Sequence, residues 1–544
     1  MTSNAFPMRI LGAVTGAPDT TAATTIEVVL VLLLAATGLA IVARRLAVPY
    51  PVLLVLGGLA IGFVPGLPPV ELAPDIVFLL FLPPILFGAG YFTSIRDLKA
   101  NLRPIGLLAV GLVLFTIVVV AVVVHAIVPG LGWAPAFALG AIVSPPDAVA
   151  ATAIFQRLGV PRRMVTILEG ESLLNDGTAL VAYRLALAAA ATGIFSLAEA
   201  GSTFVVASVG GIVVGIVLGG LAARLVRLVD DPVFSVILTF LAPLAIYLPA
   251  EHFGLSGVLA TVTAGILVGR KAPRLMSSSV RVAGFAAWQV LLFLINGSVF
   301  ILIGLQLPTV LARLGDRPPS ALLGWAAAVA AAAIVARIVW VFPATYLPRA
   351  LSRKIRERDP YPPLRNVGIV AWAGMRGVVS LAAALALPAS FPERDLLIFL
   401  TFGVILATLV GQGLSLPLLI RHFGISDDAH AEGHEEAHAR LIASESAVNR
   451  LEELAVEWPG HLELIDTLRA QYEHRTHHAE LDHTDDEEND EAEQELIEHR
   501  QIRIAVIDAE REALVALRER GAVSDDVFRR VERDLDLEEL RMEA

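Results

Sequence analysis

The stretch that decides the fold is Glu169-Gly170-Glu171-Ser172-Leu173-Leu174-Asn175-Asp176, set inside the otherwise apolar run from Met164 to Ala191. An ionisable side chain in a bilayer-spanning helix costs a few kcal/mol on insertion scales, so a chain keeps such a group only inside the protein and in use. Glu171 and Asn175 are four residues apart, as are Ser172 and Asp176, which places all four on about half of one helix circumference. This polar stripe is expected to face a bundle interior. Two acids, an amide and a hydroxyl are more donors and acceptors than helix pairing alone requires.

Outward from that stretch, the whole chain reads as a polytopic membrane protein. It has 544 residues, 56% of them hydrophobic, and a mean hydropathy of +0.70. Cysteine is absent, which excludes disulfides, thiolate metal sites and cysteine nucleophiles. The net charge of −12 divides into two parts. Ile425 to Ala544 holds 35 acids against 13 arginines, for −22, while the rest carries 28 bases against 18 acids, for +10. A basic membrane domain over 25–422 is therefore expected between an N-terminal extension, 1–24, and an acidic helical tail, 423–544. The first 24 residues hold one arginine and only a brief apolar patch, so no cleaved signal peptide is expected.

Hydropathy predicts thirteen spans, near 25–43, 50–65, 74–92, 104–128, 132–156, 163–192, 202–226, 232–250, 255–269, 283–307, 320–347, 366–389 and 395–421. Connections after odd-numbered spans carry 21 bases, those after even-numbered spans three. The positive-inside rule then sets the N-terminus outside and the tail in the cytoplasm.

Two spans are interrupted at charged residues. The fifth contains Ser144-Pro145-Pro146-Asp147-Ala148. Its prolines remove two amide donors and leave the carbonyls of Ala141 and Ile142 without helical partners. Unpaired backbone at membrane depth is tolerated where it lines a cavity or binds an ion. The twelfth contains Gly374-Met375-Arg376-Gly377. Spans five and twelve run in opposite directions, and two opposed broken helices are the trace of an inverted-repeat secondary transporter with a midplane site.

These motifs, with Leu82-Pro83-Pro84-Ile85-Leu86-Phe87, resemble the bacterial sodium/proton antiporters related to the mammalian sodium/proton exchangers. The resemblance covers about Thr25 to His422. It implies an all-helical antiporter that exchanges cytoplasmic Na⁺ for external H⁺ as a homodimer in the plasma membrane, with no cofactor and no nucleic-acid partner. By position it makes Asp176 the exchange carboxylate, Asn175 its partner amide and Ser172 an oxygen ligand. It pairs Glu171 with Arg376 and sets Asp147 at the crossing of the broken helices. Two positions depart from the family pattern. Pro146-Asp147-Ala148 stands where Thr-Asp-Pro is usual, and Gly88 stands where many members carry an acid.

The residue types suit this chemistry. A hard monovalent cation takes carboxylate, hydroxyl, carbonyl and water oxygens, so proton and cation compete for Asp176, and the break carbonyls are further expected ligands. With Asn175 rather than a second acid beside it, one charge exchanged for one is expected. K⁺/H⁺ exchange fits the same ligands. A cation channel would need a filter of repeated carbonyls, and an intramembrane protease a zinc motif or serine–histidine pair; neither motif is present. Arg184 and Arg337 read as helix-pairing or interfacial groups, His125 and His252 as interfacial. Gly211, Gly215 and Gly219 read as a helix-packing stripe. In the tail, His430, His434 and His438 share a helix face, His474, His477 and His478 cluster, and Asp482 to Glu498 reads as an acidic solvated stretch. Gly521 is expected to end one helix and Ser524 to cap the next.

Overall fold

A computed structural model describes residues 20–46, 48–64, 77–193, 197–229, 231–315, 317–425, 429–481, 489–520 and 522–543, and no strand occurs among them. The chain divides into two compact units, Met1–Ser426 and Asp427–Ala544.

Each apolar stretch expected to span is helical over its described residues, apart from the breaks in the fifth and twelfth. In chain order these are α1 (Thr20–Leu46), α2 (Tyr50–Gly62), α3 (Val77–Phe92), α4 (Leu102–Ile127), the half-helices α5a (Trp133–Val143) and α5b (Ala148–Leu158), and α6 (Arg162–Thr192). There follow α7 (Leu197–Leu228), α8 (Pro232–His252), α9 (Gly257–Leu275), α10 (Ser278–Leu305), α11 (Pro319–Leu351), the half-helices α12a (Leu364–Trp372) and α12b (Val378–Leu385), and α13 (Arg394–His422). Among the described residues, seven segments are by length and composition apolar enough to cross a membrane: α4, the whole of the fifth, α7, α8, α10 with its extension to Ala312, α11 and α13. The chain is a multi-pass membrane protein.

Local chemistry sets the helix ends. Asp231 accepts the amides of Val233 and Phe234 at 2.9 and 3.0 Å and starts α8 ahead of Pro232. Ser256 caps α9 through the Leu259 amide at 3.2 Å. Gly159, left-handed at φ +58°, ends α5b.

Packing is closest along α9. The expected stripe of Gly211, Gly215 and Gly219 on α7 lies against Ser256, Ala260 and Ala264 at α9. On the opposite side Gly90 of α3 meets the Val262 carbonyl, where a Cβ would sit 2.7 Å from the oxygen. Small residues let these backbones touch without an aqueous driving force.

Buried clusters show which helices pack as neighbours. One gathers side chains of α4, α5a, α6, α11, α12b and α13, with Leu139, Val329 and Leu400 at its centre. A second gathers α3, α7, α8, α9 and α10 around Phe87, Ala260 and Trp288. The largest runs from α1, α2 and α10 to α5b, α12a and α13. Where α6 meets α3, α8 and α9 there is a small seam of Leu82, Leu86, Leu173, Tyr247, Val258 and Val262.

The tail unit consists of α14 (Ala429–Glu457), α15 (Leu462–Leu481), α16 (Asn489–Glu519) and α17 (Asp525–Glu543). The last two share a core of Ile507, Leu514, Phe528 and Leu535. Arg511 reaches Asp536 and Glu539 at 2.9 and 2.6 Å, and Arg518 lies over the Phe528 ring. Ser524 caps α17 through the Val527 amide at 3.4 Å, as its position predicts. Gly521, the side chains of His430, His434, His474, His477 and His478, and nearly all of those from Asp482 to Glu498 lie outside the described residues.

Candidate ion-exchange site

The two broken helices cross and bond to each other. Pro145 and Pro146 end α5a after Val143, and Gly374 to Gly377 separate α12a from α12b. At the crossing the Asp147 amide donates to the Met375 carbonyl at 2.7 Å. Four half-helix ends thus meet deep in the protein, two exposing amides and two exposing carbonyls.

Opposite charges occupy the opposite ends. Asp147 Oδ1 accepts the Val149 amide at 2.9 Å, capping α5b. Asp147 Oδ2 lies against Gly377, at the start of α12b, so closely that any Cβ there would overlap it. The carboxylate therefore serves two positive helix ends, and Gly377 must be glycine for it to do so. Arg376, 1% exposed, does the converse. Its Nε donates to Val143 O at 3.1 Å, at the end of α5a, its Nη1 donates to Gly374 O, and its amide donates to Thr408 Oγ1 of α13 at 3.1 Å.

Side chains of α6 complete the site. Asn175, wholly buried, donates from Nδ2 to Pro146 O at 2.8 Å, and its Oδ1 has no partner among the described residues. Ser172 Oγ accepts the Ala148 amide at 3.3 Å. These two bonds bring the Ser172–Asp176 turn of α6 onto the break beside Asp147. Asp176 is 8% exposed, and no described residue donates a hydrogen bond to its carboxylate. A bare carboxylate in such a place is costly, and either a proton or a cation removes the cost.

Two expectations need correction. The partner of Glu171 is Arg337, not Arg376. Arg337 of α11 is fully buried and grips Glu171 with both terminal nitrogens, at 2.5 and 2.8 Å, while Nε and Nη2 also donate to Val370 O of α12a. The forked guanidinium matches a carboxylate in two bonds, whereas that of Arg376 is spent on carbonyls. Gly374 makes room for the crossing arginines, since a Cβ there would strike Arg337 Cδ. The break carbonyls are also less available than proline geometry suggests. Ser144 Oγ donates to Ala141 O at 3.1 Å, Arg376 holds Val143 O and Asn175 holds Pro146 O.

Sequence reasoning undervalued Arg337. The available signal was its position at mid-helix, between Ala336 and Ile338, far from either end of a 33-residue helix. Arg184 is a helix-pairing group, bonded to Glu251 of α8. His125 sits at the α4–α5a turn, 2.6 Å from Leu131 O and stacked on Trp133. Gly88 of α3 packs against Leu292 of α10, where a Cβ would approach a methyl group within 2.9 Å, so a side chain there requires Leu292 to give way.

Broken helices crossing beside an unpartnered buried carboxylate define a secondary transporter rather than an enzyme. The chain belongs to the sodium/hydrogen exchanger family, whose transmembrane model matches residues 29–422. An uncharacterised Na⁺/H⁺ exchanger of Mycobacterium tuberculosis is 36% identical over 95% of this chain and 96% of its own length. A sodium, potassium, lithium and rubidium/H⁺ antiporter of Bacillus subtilis is 37% identical over 68% of this chain and 58% of its own length. The sodium proton antiporter MjNhaP1 of Methanocaldococcus jannaschii shares the fold, with a TM-score of 0.58 at 21% identity over 74% of this chain and 97% of that one.

Proposed function

We propose that this antiporter exchanges cytoplasmic Na⁺ for external H⁺, one for one, by alternating access at Asp176. It does so as a homodimer in the plasma membrane, with the N-terminus outside and the tail in the cytoplasm. The observation that carries the reading is the Asp176 carboxylate, buried and without a protein donor, next to the amide ends gathered at Asp147. Proton and cation each neutralise it, and they exclude one another. Ser172 Oγ, the free Asn175 Oδ1 and Asp147 offer further oxygens to a hard cation. One positive charge replaces another, so membrane voltage, worth about 2.3 kcal/mol per charge per 100 mV, neither drives nor opposes the cycle. Dimerisation rests on the family resemblance alone.

K⁺ as the cation is the second reading, favoured by the name of the Bacillus subtilis relative. Everted vesicles holding a pH gradient separate the two. On the proposal Na⁺ collapses the gradient at lower concentration than K⁺, and Asp176→Asn abolishes the response to every cation while the protein still inserts. Exchange by the reconstituted Asp176→Asn variant at the wild-type rate would refute the site, and a lower half-maximal concentration for K⁺ than for Na⁺ would establish the second reading.

A further inference from the structure

Arg184 lies eight residues beyond Asp176, two turns along the same face of α6 and toward the expected external side, with Leu180 between them. Its guanidinium bonds Glu251 at the last turn of α8. The two side chains are 45% and 23% exposed, so the pair stands at a wet rim. Beneath it is the seam, where Leu180 packs on the cluster that contains the buried Tyr247, itself one turn below Glu251 on α8. Three layers thus lie over the external side of Asp176: an ion pair, an apolar contact, then the carboxylate.

The two partners are held differently. Glu251 is fixed, because its Oε1 also accepts the Gly257 amide at 3.0 Å at the start of α9. Gly257 has no Cβ, and one would press on both the Tyr247 ring and Glu251 Cγ, at 2.8 and 2.9 Å. Glu251 is thereby joined to α9, which packs in the cluster of α3 and α7 to α10, while Tyr247 belongs to the seam that α6 also enters through Leu173. Arg184 comes from α6, whose outer half packs in the other cluster through Ala179, Tyr183 and Ala186. Between these two sets of helices the pair is an ionic tie on the outer side.

We propose that the Arg184–Glu251 pair is the outer latch of the transporter, closing the external route to Asp176 with Leu180 and Tyr247 as the plug. A half-exposed ion pair contributes little standing stability and is screened by salt, which suits a contact that opens in every cycle. A buried pair of the Glu171–Arg337 kind would hold too firmly. The latch rests on the exchange reading for its purpose, but its labelling test does not.

The chain contains no cysteine, so Leu180→Cys gives a single thiol behind the latch. A membrane-impermeant maleimide applied from outside measures its exposure directly, whether or not transport occurs. In the Leu180→Cys background, Arg184→Gln and Glu251→Gln are each expected to raise the labelling rate severalfold, and the swap Arg184→Glu with Glu251→Arg is expected to bring it back down. Unchanged labelling in both single variants would overturn the latch. So would a swapped pair that labels as fast as the single variants, because the singles would then report general loosening. In a second arm, Arg184→Cys with Glu251→Cys is bridged by a bifunctional thiosulfonate. Exchange is expected to stop and to recover on reduction; wild-type exchange in the bridged protein also overturns the latch. Absence of Na⁺-dependent exchange in the unmodified protein would instead refute the transport reading and leave the labelling result standing.

Discussion

Glu171 and Arg337 show how a charge is kept at membrane depth. Neither is more than 1% exposed, and each alone would leave an uncompensated buried ion. Removing one partner of such a pair costs on the order of 3–5 kcal/mol. Glu171→Gln and Arg337→Gln should therefore each lower the melting temperature in detergent by more than Asp176→Asn does. Asp176 has no donor to lose, and amidation relieves its desolvation. If Asp176→Asn proved the most destabilising of the three, the division into one structural and one exchange carboxylate would be mistaken. The sequence reveals the acids, because a charge in an apolar run is conspicuous. It does not reveal which arginine answers Glu171. Both candidates sit on distant spans, and the choice turns on side-chain reach across three helices, which leaves no periodic trace. The sealing of carbonyls by Ser144, Asn175 and Arg376 is hidden for the same reason.

At the level of elements, the breaks are legible and their consequences are not. Two prolines announce the end of α5a, and two glycines flank the gap in α12. That Asp147 caps α5b while touching the start of α12b follows only once the two segments cross. A second junction, on the expected cytoplasmic side, escaped the sequence entirely. Asp359, in the connection before α12a, gathers Arg103 of α4 at 2.5 Å, Arg163 of α6 at 2.7 Å and Arg349 of α11 at 2.8 Å, and Arg163 also reaches Asn101 at 3.0 Å. Burial alone would raise the Asp359 carboxyl, but the hydrogen bonds from Arg163 and Arg349 outweigh it and hold it below its ordinary value. A carboxyl lowered in the folded state adds stability above its unfolded value, about 3.9, and loses it as pH falls through the folded one. Asp359→Asn is thus expected to lower the melting temperature at pH 7. The gap from wild type should narrow as pH falls from about 5 to 3. A gap that is constant across that range would mean that the carboxylate charge does not hold the junction.

For the molecule as a whole, charge differs sharply between the two parts of the chain. The basic segment and the acidic tail fall into separate compact units, and the tail carries its own small core and caps. The residues proposed for transport lie between Asp147 and Arg376. Deleting Ile425 to Ala544 should therefore leave exchange intact while shifting its pH dependence or maximal rate. This is measured by the same vesicle assay from about pH 6 to about pH 9. A truncated protein that inserts but exchanges at no pH would make the tail part of the transport machinery. Within the membrane unit, the charges of Glu171 and Arg337 cancel, and Asp147 and Arg376 each answer a pair of helix ends. Among the described charged residues at the crossing, Asp176 is the one left over. On the proposed mechanism, the site loaded with sodium or a proton would travel as a neutral body; empty, it would have to carry a naked charge through a region of low dielectric. Slippage is thereby suppressed without a dedicated lock. A carrier working in this way would, once it has given up its sodium, have to wait for a proton before returning, and the cell would be spared an idle leak down either gradient.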